Sequence, residues 1–224
     1  MKPIIYAFIF ARKNSKRLKN KNILKLKKKT LVEHSINLAK NLKDISKVYV
    51  STNSNKIIKI AKKNEVGYIK RPSFLCSDRS KELLSWKHAI RFLIKKKEKF
   101  NIFLSLPTTS PLRSKQDIIK LIKAYKINKS DITITVTKTN RQPNFNMVKV
   151  NRLGKVSLVM NNKKLFLKNN IFDMTTVGYI SNPSYILKTD NIFSGKVKSI
   201  EIPRIRALDI DDSYDLKIGR LLLN

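Results

Sequence analysis

The chain has 224 residues, a length that suits one sizeable α/β domain burying roughly 70% of the surface its unfolded form exposes. Its formal net charge of +34 suggests a polyanion partner, but most of the 49 basic residues are Lys, they are scattered along the chain, and the sequence is also enriched in Asn and Ile, which is the mark of a codon bias rather than of a nucleic-acid surface. A single cysteine, Cys76, excludes an intramolecular disulfide, and with only His34 and His88 beside it offers no zinc-ligand spacing; the longest apolar stretch, Ile4 to Ala11, is too short to cross a bilayer and has no signal-peptide leader, so a cytoplasmic protein without membrane attachment is expected.

In chain order, the apolar run Ile4 to Phe10 reads as a buried strand, followed by the basic stretch ARKNSKRLKNKN at 11 to 22. Strands follow at Lys47 to Ser51, Val66 to Ile69, Ile102 to Leu106 and Ile132 to Val136. Between them, residues 31–42, 55–64, 85–97 and 115–127 carry apolar positions at helical spacing. This βαβ progression predicts a Rossmann-like α/β fold, with a mostly parallel central sheet and helices on both faces. Basic blocks such as LKLKKKT (24 to 30) and IKKKEKF (94 to 100) lack interleaved aromatics for stacking bases and read as solvated element ends. Residues 139–174 are rich in Asn, broken by Pro143 and Gly154, and alternate as a β-ribbon. Such a ribbon buries little alone, so the expectation is one domain over 1–224 with an inserted ribbon that packs on a partner subunit or acts as a flap. TTVGYIS (175 to 181) returns to the body, and the chain ends in a strand, an acidic turn and a closing helix.

In an open α/β sheet, ligands sit beyond the carboxyl ends of the strands, where the basic stretch lies. Arg12, Lys16, Arg17 and Lys21 bring positive charge to a bound anion there, and Asn14, Ser15 and Asn22 add neutral hydrogen-bonding groups. Near the other end, Asp209, Asp211, Asp212 and Asp215 fall close together in a chain with 15 acidic residues. In an extended segment Asp209 and Asp211 share a face, as two ligands of one hard cation must, whereas Asp212 suits the cap of the last helix. His34 and His88 lie on amphipathic helices and read as surface or boundary residues.

Several blocks resemble one family. Ala11-Arg12, Ser15-Lys16, Leu18 and Lys21-Asn22 match in order the first loop of the cytidylyltransferases that activate nine-carbon sugar acids: the CMP-N-acylneuraminate synthetases and their legionaminic and pseudaminic relatives. VYVSTNS (48 to 54), IKRPSFLCSD (69 to 78), LPTTSPLRS (106 to 114) and ALDIDD (207 to 212) resemble further family segments. The departures are Lys13 and Asn14 where glycines are usual, Asn53 in place of an acid, Pro107 in place of Gln, and Thr176 in place of Asn.

The resemblance implies a GT-A-related nucleotidyltransferase fold, a homodimer built on the ribbon, and transfer of CMP from CTP to an acidic 2-keto sugar with release of pyrophosphate. It implies magnesium on Asp209 and Asp211, and nucleotide contacts from Ala11, Arg12, Asn14, Ser15, Lys16, Lys21, Asn22, Arg71, Asp78, Thr109 and Ser110. Arg12, Lys16 and Lys21 would offset charge on the leaving pyrophosphate, and Thr109, Ser110 and Tyr179 would face the sugar. The alternatives are a 3-deoxy-manno-octulosonate cytidylyltransferase, a relative that has lost catalysis and, from another class, a basic nucleic-acid-binding protein.

Overall fold

The computed structural model of the chain describes residues 3–77, 80–160 and 171–223. Seven strands form the central sheet: β1 (Ile5–Phe10), β4 (Ile45–Thr52), β5 (Gly67–Lys70), β6 (Ile102–Ser105), β7 (Ile132–Lys138), β10 (Phe172–Ser181) and β11 (Val197–Glu201), in the order β11-β7-β10-β6-β1-β4-β5. Only β10 runs antiparallel to its neighbours, β6 and β7. Strands β2 (Lys25–Leu26) and β3 (Lys29–Thr30) form a small hairpin, and β8 (Val148–Val150) pairs with β9 (Val156–Leu158) in another. The helices are α1 (Leu31–Lys40), α2 (Asn55–Lys63), α3 (Glu82–Lys95), α4 (Lys115–Asn128), α5 (Pro183–Lys188) and α6 (Ser213–Leu222).

Strand β1 is buried on both faces, so its sequence is a continuous apolar run rather than an alternation. Ile5, Ala7 and Ile9 pack against α1, α2 and α4 through Val32, Ile36, Ile57 and Leu121, while Tyr6 and Phe8 pack against α3 through Trp86, Ile90 and Leu93. Helices α1 and α4 begin at capping boxes, Thr30 with Glu33 and Ser114 with Asp117, which satisfy the first free N–H groups. After β1 the chain moves to β4 and β5, then crosses back to β6 on the other side of β1. The switch point between β1 and β6 opens a crevice at their carboxyl ends.

Most element ends shift by one or two residues from the sequence reading, and three differences have a local physical reason or bear on the ribbon. Helix α3 begins at Glu82 rather than 85, because Leu83, Trp86 and Ile90 already continue the buried stripe and a carboxylate is favourable in the first turn. Strand β4 extends to Ile45 and Thr52. Phe172 to Met174, expected in the ribbon, instead pair with Val136 to Lys138 and extend β10. The ribbon's described part is the β8–β9 hairpin, with Val148, Val150 and Val156 all more than half exposed; residues 161–170 of the expected insertion lie outside the described residues. Among the described residues no helix is long and apolar enough to cross a membrane.

Candidate functional site

The crevice holds a cleft of about 330 Å³, whose wall joins the loop after β1 (Arg12, Ser15, Lys21, Asn22), the loop after β6 (Pro107, Thr108, Thr109) and the segment before α6 (Asp209, Asp211). The amino-terminal cations and carboxyl-terminal carboxylates, nearly 200 positions apart in sequence, therefore face one space.

Local pairing explains how each wall is held. Asn22 is buried, donates from Nδ2 to the carbonyl of Arg12 at 2.8 Å, and accepts on Oδ1 from Thr108 Oγ1, so one amide ties the basic loop both to itself and to the opposite loop. The backbone N–H of Lys13 donates to Asn53 Oδ1 at 2.8 Å. Neither Lys13 nor Asn14 has a positive φ, so losing the glycines at these positions creates no backbone strain. Ile210 is fully buried against Leu26, Leu31 and Leu216, and alternation along the extended segment turns Asp209 and Asp211 toward the cleft instead. The N–H of Ile210 donates to the carbonyl of Thr109 at 2.8 Å, fixing the acidic segment on the loop after β6.

That loop is braced from below. Arg113, 4% exposed, donates from Nη1 to the carbonyl of Val177 at 2.9 Å and from Nη2 to Ser35 Oγ and the carbonyl of Pro107. Burial pushes its guanidinium down to about 9, so it stays charged at neutral pH. Val177 sits in the register break of β10 between Thr175 and Tyr179, where the carbonyls of Thr175 and Gly178 take Thr135 Oγ1 as donor. The same break points Thr176 at the loop: its Oγ1 accepts from Thr109 Oγ1 at 3.0 Å and pairs with Ser110 Oγ at 2.7 Å.

The two aspartates differ. Asp211 is ion-paired to Lys21 Nζ and to Arg17 Nη2, each at 2.9 Å, with Lys21 only 12% exposed and Arg17 70% exposed. Asp209 Oδ1 is buried without a hydrogen-bond partner among the described residues. An orphaned carboxylate oxygen is costly unless something positive comes to it. A carboxylate pair with one free oxygen, beside cations suited to phosphate, fits a hard divalent cation that takes its remaining ligands from substrate oxygens; among the described residues no third acid, His or Cys completes an all-protein cage.

The other expected residues are distributed as follows. Ala11 is buried behind the loop, while Asn14 and Lys16 are exposed and stand off the cleft wall. Ser110 is fully buried and positions Thr176 rather than reaching the cleft surface. Arg71, 6% exposed, lines the cleft, donating to the carbonyl of Ser51 at 2.7 Å and to Ser85 Oγ at 3.2 Å. Tyr179 lines an adjoining cavity of about 360 Å³ with Trp86 and Asn191, and burial, then the charges of Glu82 and Asp209, push its phenol up. Asp78 lies outside the described residues. His34 caps the β2–β3 hairpin through Leu26, and His88 is half-buried on α3. Sequence reasoning missed Glu82, Thr108 and Phe10 as cleft residues; for Glu82 the available signal was a carboxylate one helical turn before Ser85 in a chain poor in acids.

The chain is similar to known proteins in sequence and in fold. A family model described as Cytidylyltransferase matches residues 6–189. The chain is 32% identical to post-translational flagellin modification protein B of Campylobacter coli, covering 98% of this chain and 94% of the relative. It is 31% identical to CMP-N,N'-diacetyllegionaminic acid synthase of Campylobacter jejuni, covering 98% and 95%. A solved CMP:2-keto-3-deoxy-manno-octonic acid synthetase complexed with CTP shares the fold with a TM-score of 0.75 over 98% of both chains, at 14% identity. With cations and carboxylates gathered at the switch point of that sheet, and the family model spanning most of its length, the chain belongs to the cytidylyltransferase family.

Proposed function

We propose that the protein transfers CMP from CTP to the anomeric hydroxyl of a 2-keto-3-deoxy nonulosonic acid, releasing pyrophosphate with the help of magnesium. The observation that carries the magnesium and phosphate reading is Asp209 Oδ1, without a hydrogen-bond partner among the described residues, in a cleft shared with Arg12, Lys21 and Asp211. The nonulosonic acceptor is supported by the name of the Campylobacter jejuni relative, which matches over nearly its full length.

In this reaction the acceptor O–H bond and the Pα–O–Pβ bond break, an O–Pα bond forms, and the proton leaves with solvent or product. Arg12 and Lys21 bind the triphosphate and offset the charge that gathers on the departing pyrophosphate. Lys16, exposed beside them, extends that field. Ser15 and the Asn22-tethered loop orient the phosphates, and Thr109, held by Thr176, shapes the passage toward the acceptor. Asp209 and Asp211 would hold magnesium, which when bound neutralises phosphate oxygens and lowers the barrier to in-line attack. Because Arg17 is largely exposed, it leaves Asp211 at little cost, while Lys21 remains as an anchor. The exposed apolar face of the β8–β9 hairpin supports a homodimer, and dependence on CTP supports a cytoplasmic location.

The test is pyrophosphate release across CTP, UTP, ATP and GTP with sialic, legionaminic, pseudaminic and octulosonic acids and with a sugar 1-phosphate. Activity confined to CTP and a nonulosonic acid supports the reading. Activity only with UTP and a sugar 1-phosphate removes it.

A further inference from the structure

Between the loop after β1 and the start of α2 lies a second pocket of about 290 Å³, which shares Asn22 with the cleft described above. That volume is at the small end of ligand pockets, which run roughly 300–1,000 Å³. Its lining includes two lysines, Lys13 and Lys56, and no carboxylate. Lys13 and Asn53 are two of the positions where the sequence departs from the family's usual residues, a glycine and an acid, and both departures make this wall more positive. Asn53 accepts the N–H of Lys13 on Oδ1 at 2.8 Å, so the part of its amide still on offer is the NH2 donor.

Ser54 stands at the N-cap of α2, on the pocket wall, and is 6% exposed. Its backbone is engaged on both sides: the N–H donates to Thr52 Oγ1 at 3.0 Å, and the carbonyl accepts from the N–H of Ile58 at 2.9 Å. Its side chain makes no capping hydrogen bond. An N-cap hydroxyl ordinarily takes the N–H of the second or third helical residue, here Lys56 or Ile57. Those groups lack it, at the positive end of a nine-residue helix, and the buried hydroxyl is left for an occupant of the pocket.

We propose that this pocket is a second anion site, which takes the phosphate group of free phosphate or of a small phosphate monoester. Lys13 and Lys56 offset its charge, the Ser54 hydroxyl and the Asn53 NH2 group donate to its oxygens, and the start of α2 adds its uncapped N–H groups. Ile23 and Ile57 give the lining an apolar part for the carbon skeleton of an ester. No step of the proposed reaction uses Lys13, Asn53, Ser54 or Lys56, so the site stands or falls apart from that reaction.

The test is a titration of the isotope-labelled chain with inorganic phosphate and, separately, with glycerol 3-phosphate, following backbone amide signals by NMR at constant ionic strength. Saturating shifts are expected at Ser54, Asn55, Lys56 and Ile57, and none that saturate with sodium chloride. Tighter binding of glycerol 3-phosphate marks an ester as the occupant, and equal binding shows that the phosphate group alone is read; either supports the site. In Ser54→Ala, which removes no capping bond, affinity is expected to fall about 3- to 10-fold. In the double variant Lys13→Gln, Lys56→Gln, where both side chains are exposed, it should fall at least about 10-fold. The same spectra show whether each variant is folded. Lys21→Gln, which takes a cation from the cleft, should leave these shifts in place. Shifts confined to Arg12, Ser15 and Lys21 in the cleft, shifts that chloride reproduces, or full affinity in either pocket variant overturn the proposal.

Discussion

Replacing Arg113 by Lys tests how the carboxylates are held. Arg113 has no carboxylate partner among the described residues; its fork instead spans Val177 on one side and Pro107 with Ser35 on the other. An ammonium is a point donor and cannot reach both sides. The carbonyl of Val177, in a residue with no exposed surface, then loses its charged donor, while Pro107 keeps Ser35 Oγ at 3.2 Å. One charge-assisted hydrogen bond lost and one buried carbonyl stranded together cost about 2–4 kcal/mol. For a chain of this size that lowers the thermal midpoint by about 5–15 °C, read by circular dichroism on heating. Because the loop braced by Arg113 carries the Thr109 carbonyl that fixes Ile210, the variant should also need more magnesium for half-maximal rate at 25 °C, where it remains folded. A midpoint within about 1 °C of wild type, with unchanged magnesium dependence, would refute the brace.

Two further outcomes follow from the same contacts. Asn22→Ala removes both hydrogen bonds that join the basic loop to Arg12 and Thr108, and is expected to cost about 2 kcal/mol in urea unfolding and to weaken CTP binding; full CTP affinity would show that the loop needs no tether. For Asp117, burial alone would raise the carboxyl, but Arg206 and Ser114 outweigh it and hold it below the usual value. Its stabilisation is therefore present above the unfolded value of about 3.9 and lost as pH falls through the lower folded value. Asp117→Asn should then be less stable than wild type by about 1–3 kcal/mol at pH 7, with the gap closing in stronger acid; a gap independent of pH contradicts the ion pair.

Local patterns announced most of the fold. The all-apolar Ile4 to Phe10 announced a doubly covered strand, and the capping boxes at Thr30 and Ser114 open two of the four helices that spacing placed. The register break in β10 was not legible, because it depends on Thr135 and Arg113 meeting carbonyls from a distant strand rather than on any feature of TTVGYIS itself. At the site, the basic loop and the Asp209 and Asp211 pair were visible as charge in an unusual place, and their convergence follows from the topology. The support roles were not. Asn22 and Ser110 read as ligand groups in sequence, yet Asn22 ties two loops together and Ser110 is sealed behind Thr176. Glu82 was passed over because its place on the cleft wall comes only from how α3 packs in the fold.

The central claim is that Asp209 and the amino-terminal cations act on one nucleotide. The most direct measurement is pyrophosphate release by Asp209→Asn at saturating CTP and nonulosonic acid and limiting magnesium, with the fold verified by circular dichroism. The account predicts a rate about 100-fold or more below wild type, since the change removes charge but keeps shape. A rate equal to wild type would contradict it.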